Sequence, residues 1–234
     1  MFSYYGSKSK IIHRYPMPKF ERIMEPFAGS ARYACLYYAR DVWINDKYEV
    51  IYRIWKWIQS ASWNDVKSLP DLDKGDDLRN IKSLSDDERL LMGFLVANGV
   101  CNPNNIVTGR GAGFGKGAKH ESIPPVRSFK LNIKRMIGRI GHWKITCLDY
   151  DRLPNLKATW FIDPPYQVGG NRYKVNGVDY THLLDWIKRR RGETITCENS
   201  QCTWLDRYDN LVTIQGSQQT FTTEVIRYGA VGDR

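Results

Sequence analysis

Short apolar segments with strand character alternate with helical segments at both ends of this 234-residue chain. Before residue 60, the pattern predicts two strands and two helices, at 22–24, 31–38, 42–44 and 48–58. After residue 140, it predicts a helix capped by Asp179 and four strands, at 159–162, 194–197, 211–214 and 222–227. Such alternation is typical of a mostly parallel sheet with helices on both faces. We therefore predict an α/β fold.

The middle of the chain differs from both ends in charge and in glycine content. Residues 60–90 contain eight acidic and five basic side chains, whereas residues 100–145 contain nine basic side chains and one acidic side chain. Glycine occupies every second position from 109 to 117, a pattern that matches neither a P-loop nor a GxGxxG motif. We predict that residues 60–140 are an insert and that residues 1–59 and 141–234 form the α/β domain.

Composition and charge narrow the class of partner. The formal net charge is +10, so we expect a polyanionic partner, with nucleic acid as the first candidate. The chain has no 18-residue apolar run and no apolar leader at its N-terminus, and its five cysteines are scattered. We therefore expect a cytoplasmic protein without membrane contact. The four histidines lack metal-ligand spacing, so we expect no metal.

Three polar segments follow predicted strands, where ligands bind in open α/β sheets. The turn at 26–30 contains small residues that allow a ligand to approach the backbone closely. Asp46 follows the next strand, 17 residues after Gly29, near the spacing at which an acid binds ribose hydroxyls in nucleotide-binding folds. Taken alone, these two patterns also fit an ordinary turn glycine and a capping aspartate.

The third segment, Asp163–Pro164–Pro165–Tyr166, is the most specific. Two consecutive prolines remove two backbone N–H donors and fix φ at both positions. The Asp163 carboxylate and the Pro164 carbonyl remain as rigid acceptors, beside the aromatic ring of Tyr166. Acceptors next to a stacking surface suit a planar ligand that carries an amino group, and adenine has both features.

The EPFAGS turn at 25–30 and the DPPY segment closely resemble motifs of the Dam-type DNA adenine N6-methyltransferases. The opening YYGSK, at 4–8, and the segment CLDY, at 147–150, fit the same family, and the order of the motifs agrees. The resemblance covers residues 1–58 and 143–230. It implies a Rossmann-like methyltransferase fold, with residues 1–59 and 141–234 as the catalytic domain. Residues 60–140 would then be a helical and hairpin region for target recognition.

The resemblance also assigns residues to the reaction and to the cofactor, which would be S-adenosylmethionine. The residues implied for catalysis are Asp163, Pro164, Pro165 and Tyr166. The residues implied for cofactor binding are Tyr4, Lys8, Glu25, Phe27, Ala28, Gly29, Asp46, Asp149 and Asp163. Two positions depart from the family pattern: Ala31 replaces a further turn glycine, and Tyr4 replaces an aromatic residue that is often Trp. The methyl group of Ala31 could weaken cofactor binding, but neither change removes the chemistry.

The implied substrate is double-stranded DNA, bound by a monomer. A base inside a duplex cannot reach such a pocket, so the target adenine would be flipped out and stacked on Tyr166. The glycine-rich segment at 109–117 is predicted to form a hairpin tip that enters a groove. The residues expected to contact DNA are Arg110, Lys116, Lys119, His120, Arg127 and Lys130.

Two other interpretations stay open. The first is an enzyme that methylates another amino group, in RNA adenine, at cytosine N4 or on a protein glutamine; Asp163, rather than Ser or Asn, before the prolines favours adenine. The second is a DNA-binding regulatory protein that retains the fold without turnover. The presence of both Asp163 and Tyr166 argues against it.

Overall fold

A computed structural model describes residues 2–96, 100–108, 125–215 and 221–230. The chain divides into two compact units. The helical unit contains Met1–Ser7 and Glu49–His142, and the sheet unit contains Lys8–Tyr48 and Trp143–Arg234. No helix in the described ranges is both long enough and apolar enough to cross a membrane.

Seven strands of the described residues form one sheet in the sheet unit. They are β1 (Arg22–Glu25), β2 (Asp41–Asn45), β3 (Lys144–Thr146), β4 (Ala158–Ile162), β5 (Gly192–Asn199), β6 (Asp209–Gln215) and β7 (Phe221–Ala230). Their spatial order is β3-β2-β1-β4-β5-β7-β6. Neighbours from β3 to β5 are parallel, while β7 is antiparallel to both β5 and β6. The predicted α/β, Rossmann-like fold with a mostly parallel central sheet is confirmed.

The described helices belong to both units. They are α1 (Arg32–Leu36), α2 (Glu49–Ser60), α3 (Trp63–Ser68), α4 (Asp86–Val96), α5 (Pro125–Lys134) and α6 (Tyr180–Lys188). The first and last are in the sheet unit, and the other four are in the helical unit. The sequence placed α2 before the insert, whereas in the structure it packs on α4, where Arg53 Nε donates to Asp87 Oδ1 at 2.7 Å. The role of the insert in target recognition stays a prediction.

Strand β4 explains why a continuous apolar run marks the centre of the sheet. All five of its residues are buried, and successive side chains point to opposite faces. Trp160 packs edge-on against Trp186 of α6, with ring centroids 5.4 Å apart. Phe161 stacks on Tyr33 of α1 at 4.4 Å. Both faces of β4 are therefore covered, as a parallel strand requires.

Two elements differ from the sequence prediction. Strand β3 has three residues, none of them fully buried, and so short a segment carries no readable alternation; its pairing with β2 defines it. The helix predicted over 31–38 is the shorter α1. Ala31 takes a left-handed conformation with φ 44° at its N-cap, and Tyr37 ends it with φ −115°.

Candidate active site

The carboxyl ends of β1, β2 and β4 lie side by side, since these strands are parallel neighbours. The polar segments predicted after them therefore meet at one edge of the sheet. Asn45, buried at the end of β2, links this edge together. Its Nδ2 donates to the carbonyls of Pro26 (3.0 Å) and Leu148 (2.9 Å), and its Oδ1 accepts from the Leu148 N–H (2.9 Å). The sequence placed Asn45 at a strand end but assigned it no role.

The small-residue turn after β1 is held by β2. The Ala28 N–H donates to the Asn45 carbonyl at 2.9 Å, and the Gly29 N–H donates to Asp46 Oδ2 at 2.8 Å. Gly29 has φ 47°, in the left-handed region that favours glycine. The other Asp46 oxygen accepts from the Tyr48 N–H at 2.9 Å. Burial raises the pKa of Asp46 to about 6, while these backbone bonds oppose the rise.

Glu25 lies deeper than a direct ligand contact would suggest. The residue is 2% exposed, and its Oε1 accepts a hydrogen bond from the Ala34 N–H of α1. Burial raises the pKa of Glu25 to about 8, so the carboxyl group is protonated over much of the neutral range. In the structure Glu25 connects β1 to α1, and its contact with a cofactor stays a prediction.

Phe27 and Asp149 both contact Tyr150. The Phe27 ring packs on the Tyr150 ring with centroids 5.3 Å apart, and the Tyr150 hydroxyl is 2.7 Å from His182 Nδ1. Asp149 caps the 3₁₀ turn Tyr150–Arg152 by accepting from the Tyr150 N–H, and its other oxygen lies 2.5 Å from Lys47 Nζ. This corner therefore combines an aromatic surface with a carboxylate at the end of β3.

The Asp163 carboxylate follows β4 directly and forms an ion pair with Lys8, with 2.9 Å between Oδ1 and Nζ. Burial raises the pKa of Asp163, and the Lys8 ammonium opposes this rise. The sequence assigned Lys8 to the cofactor, whereas in the structure its ammonium contacts the predicted catalytic carboxylate. Pro164 and Pro165 are buried. The Pro165 carbonyl accepts from the Tyr180 hydroxyl at 2.7 Å, which fixes the turn to α6.

Tyr166 completes the DPPY turn and is fixed at both ends. Its carbonyl accepts from the Gly170 N–H at 3.0 Å, and its hydroxyl donates to Glu224 Oε1 on β7. The Lys8 ammonium lies 4.5 Å from the centroid of the Tyr166 ring. Sequence reasoning missed Glu224; an acid among β-branched residues of a predicted strand was the signal that could have found it.

A second buried acid holds the backbone that follows the turn. Glu198, at the end of β5, accepts from the Gln167 N–H and from Trp204 Nε1, both at 3.2 Å. Burial raises the pKa of Glu198 to about 7. The neighbouring Asn199 donates through Nδ2 to the Val168 carbonyl at 3.0 Å. Sequence reasoning also missed these two residues, because the turn backbone that they hold, at Gln167 and Val168, lies 31 positions away from them along the chain.

Tyr4, which the sequence assigned to the cofactor, belongs to the helical unit. It is buried and packs edge-on against Phe94 of α4, with ring centroids 5.5 Å apart. Nothing in the sheet unit tests its contact with the cofactor, which stays a prediction.

The predicted DNA contacts fall mainly outside the described residues. This applies to Arg110, Lys116, Lys119 and His120 and to the glycine-rich segment at 109–117. Arg127 lies in α5, as does Lys130. The Lys130 ammonium donates to the carbonyls of Lys67 and Leu69 at the end of α3, which gives it a structural role. Within the described ranges, no group of three His, Cys, Asp or Glu side chains could hold a metal ion.

The site therefore places a half-buried carboxylate, a proline-rich turn and an aromatic ring beside a turn of small residues at one sheet edge. The family model of the D12 class N6 adenine-specific DNA methyltransferases matches residues 4–224. No curated protein matches the chain. Enzymes of this class methylate the N6 amino group of adenine in DNA, so the predicted activity is confirmed. The chain belongs to the D12 class N6 adenine-specific DNA methyltransferase family.

Proposed function

We propose that the methyl donor is S-adenosylmethionine and that it binds at the carboxyl edge of β1, β2 and β3. DNA methyltransferases generally use this cofactor, which supplies an electrophilic methyl group on a sulfonium centre. The Phe27–Gly29 turn combines small residues with a left-handed glycine, so a ligand can approach its backbone. Each carboxylate oxygen can accept two hydrogen bonds. Asp46, which accepts one backbone N–H at each oxygen, therefore retains acceptor capacity for ribose hydroxyls.

The aromatic corner supports binding of the adenine ring of the cofactor. Phe27 and Tyr150 present packed rings next to the Asp149 carboxylate. A purine stacked on such a surface would have an acceptor within reach of its amino group. In this arrangement Asp46 and Asp149 contribute to cofactor affinity and take no part in the chemical step.

Asp163 and the Pro164 carbonyl would bind the amino group of the target adenine. The lone pair of this nitrogen is delocalised into the purine ring, which makes it a poor nucleophile. Two acceptors for its two N–H bonds favour tetrahedral geometry at nitrogen and return the lone pair to it. Lys8 supports this role, because its ammonium favours the ionised form of Asp163 against the cost of burial.

The observation that carries the proposal is the rigid DPPY turn at the end of a buried strand. Its acceptors are fixed by two prolines and by the Tyr180 hydroxyl, so little reorganisation is needed when the base enters. Positioning of this kind can supply up to roughly 7–11 kcal/mol of a barrier. The base would leave duplex DNA by flipping and stack on Tyr166, an interaction worth about 1–3 kcal/mol. We propose that the enzyme acts as a monomer.

The test is transfer of labelled methyl groups from S-adenosylmethionine to unmethylated plasmid DNA by purified protein, followed by nucleoside analysis. We expect N6-methyladenine, and sequencing of the product maps the modified sites. Asp163→Asn should lower kcat by about two to four orders of magnitude while leaving cofactor affinity nearly unchanged. Asp179→Asn is the matched control, because Asp179 caps α6 through its side chain and Asn is also a good N-cap.

Three results would contradict the proposal. N4-methylcytosine as the product would show that the pocket takes a different base. Preferential labelling of RNA would remove duplex DNA as the substrate. Turnover of Asp163→Asn at the wild-type rate would remove Asp163 from the chemical step.

A further inference from the structure

Glu224, near the end of the chain, is hydrogen-bonded to Tyr166 of the DPPY turn. It lies in β7, is 4% exposed and comes 58 residues after Tyr166. Its Oε1 accepts from the Tyr15 hydroxyl at 2.5 Å and from the Tyr166 hydroxyl. The Lys8 ammonium is 3.6 Å from the same oxygen. One buried carboxylate oxygen thus meets two hydroxyl donors and a cation.

The same contacts restrict the Tyr166 ring. Its hydroxyl is held by Glu224 and its backbone by the proline turn and the Gly170 N–H, so rotation about its side-chain torsions would break a hydrogen bond to a charged group. The Lys8 ammonium lies over the ring, 4.5 Å from its centroid. A base that stacks on Tyr166 must therefore use the face opposite to Lys8.

Because of Glu224, the Lys8 ammonium interacts with two carboxylates instead of with Asp163 alone. Lys8 Nζ lies 2.9 Å from Asp163 and 3.6 Å from Glu224. With Glu224 present, the ammonium is attracted from two sides, which limits how strongly it competes with an incoming amino group for the Asp163 carboxylate. An apolar residue would often serve stability equally well at a buried position, so stability alone does not account for a glutamate here.

We propose that Glu224 is a positioning residue for methyl transfer: it fixes the plane of the Tyr166 ring on which the target adenine stacks and shares the charge of Lys8 with Asp163. This inference rests on the proposed function, in which Asp163 and Tyr166 bind the flipped base. Glu224 itself does not touch the substrate. Its effect reaches the reaction through Tyr166 and Lys8.

A double-mutant cycle between Tyr166→Phe and Glu224→Leu tests the link. Tyr166→Phe keeps the ring and removes the hydroxyl, and Glu224→Leu removes the acceptor at similar volume. We expect each single change to lower kcat about 10- to 100-fold, the range for losing a hydrogen bond to a charged group, with the KM for S-adenosylmethionine unchanged. In the Glu224→Leu background, Tyr166→Phe should cause less than about a twofold further loss, because the partner is already absent.

Glu224→Gln gives a second route to the same test if the leucine variant does not fold. It keeps the shape and an acceptor oxygen but removes the charge, and neutral hydrogen bonds are roughly half as strong. Its kcat should therefore fall between those of wild type and Tyr166→Phe. A duplex with 2-aminopurine in place of the mapped adenine reports on stacking through its fluorescence emission. This emission should be higher with each of the three single variants than with wild type, because a less fixed Tyr166 ring stacks less well on the flipped base and quenches it less.

Tyr228 and Glu193 provide a matched control pair. The hydroxyl of Tyr228, in β7, donates to buried Glu193 at the start of β5, the end of that strand opposite to the DPPY turn. Tyr228→Phe should leave kcat and 2-aminopurine emission at wild-type values. Equal losses in the Tyr228 and Tyr166 variants, or additive losses in the Tyr166/Glu224 cycle of an active enzyme, would overturn this inference alone. A wild-type protein that methylates no adenine in DNA would overturn the proposed function and, with it, this inference.

Discussion

Backbone strain in the turn after β1 can be measured at Ala31. It has φ 44° and ψ 48° and is 1% exposed, so a buried alanine occupies the left-handed region. That conformation costs an L-residue roughly 1–2 kcal/mol, and Ala31→Gly removes the cost. The change also deletes a buried methyl, worth about 0.8 kcal/mol, and frees the unfolded chain by about 0.4–1 kcal/mol. The free energy of unfolding should therefore stay within about 0.8 kcal/mol of wild type.

Ala34→Gly is the control that isolates the strain. Ala34 is fully buried in α1, three residues further along. It loses the same methyl and gains the same unfolded-state freedom, but it releases no left-handed strain. We expect Ala34→Gly to be less stable than Ala31→Gly by about 1–2 kcal/mol, which corresponds to a difference in Tm of about 2–8 °C. Urea unfolding of both variants measures this difference, and equal losses at the two positions would refute the argument.

Three further predictions concern carboxylates and one lysine. Asp46→Ala should raise the KM for S-adenosylmethionine with little change in kcat, and an unchanged KM would remove Asp46 from the cofactor site. The stability of the wild type should fall as pH rises from about 5 to 8, because the pKa of Glu25 is raised from 4.5 to about 8 and the folded state must release its proton; Glu25→Gln should flatten this decline in denaturation series. Lys130→Met should lower the free energy of unfolding by about 1.5–3 kcal/mol, because its hydrogen bonds to two carbonyls are lost. The salt dependence of DNA binding should not change; a slope of log affinity against log salt that is reduced by about one would instead indicate a phosphate contact.

The elements that the sequence predicted well are those whose signal is local. Strand β4 is a continuous apolar run because both its faces are covered. The start of α6 could be predicted because Asp179, its N-cap, directly precedes the helical pattern of apolar residues. Strand β3 gave no such signal, since pairing with β2 defines it more than its own three residues do. The boundary at residue 60 stays a prediction. The packing of α2 on α4 was not predicted, because an amphipathic pattern identifies a helix but not the surface on which it packs.

In the candidate site, too, the residues with a local signal could be predicted and those defined by distant contacts could not. Two prolines after an acid are readable without any partner, so Asp163 and Tyr166 could be named from the sequence. The contact between Tyr166 and Glu224 joins positions 58 residues apart, because β5 pairs with both β4, which precedes the DPPY turn, and β7. No local pattern encodes that pairing. For Lys130 the phosphate contact stays a prediction from its basic segment, while in the fold its ammonium binds the end of a neighbouring helix, which no local pattern indicated.

The acids at the sheet edge have one physical feature in common. Glu25, Asp46 and Asp163 each end a buried strand, where desolvation disfavours the carboxylate and raises its pKa. The desolvation is compensated in two ways: Glu25 and Asp46 accept backbone N–H groups, whereas Asp163 pairs with a cation. A backbone donor is fixed by the fold, but a lysine side chain can move when an amino group arrives to compete for the carboxylate. Glu25 and Asp46 thus have rigid partners, whereas Asp163 has a partner that can yield, as its proposed binding of an exocyclic amine would require.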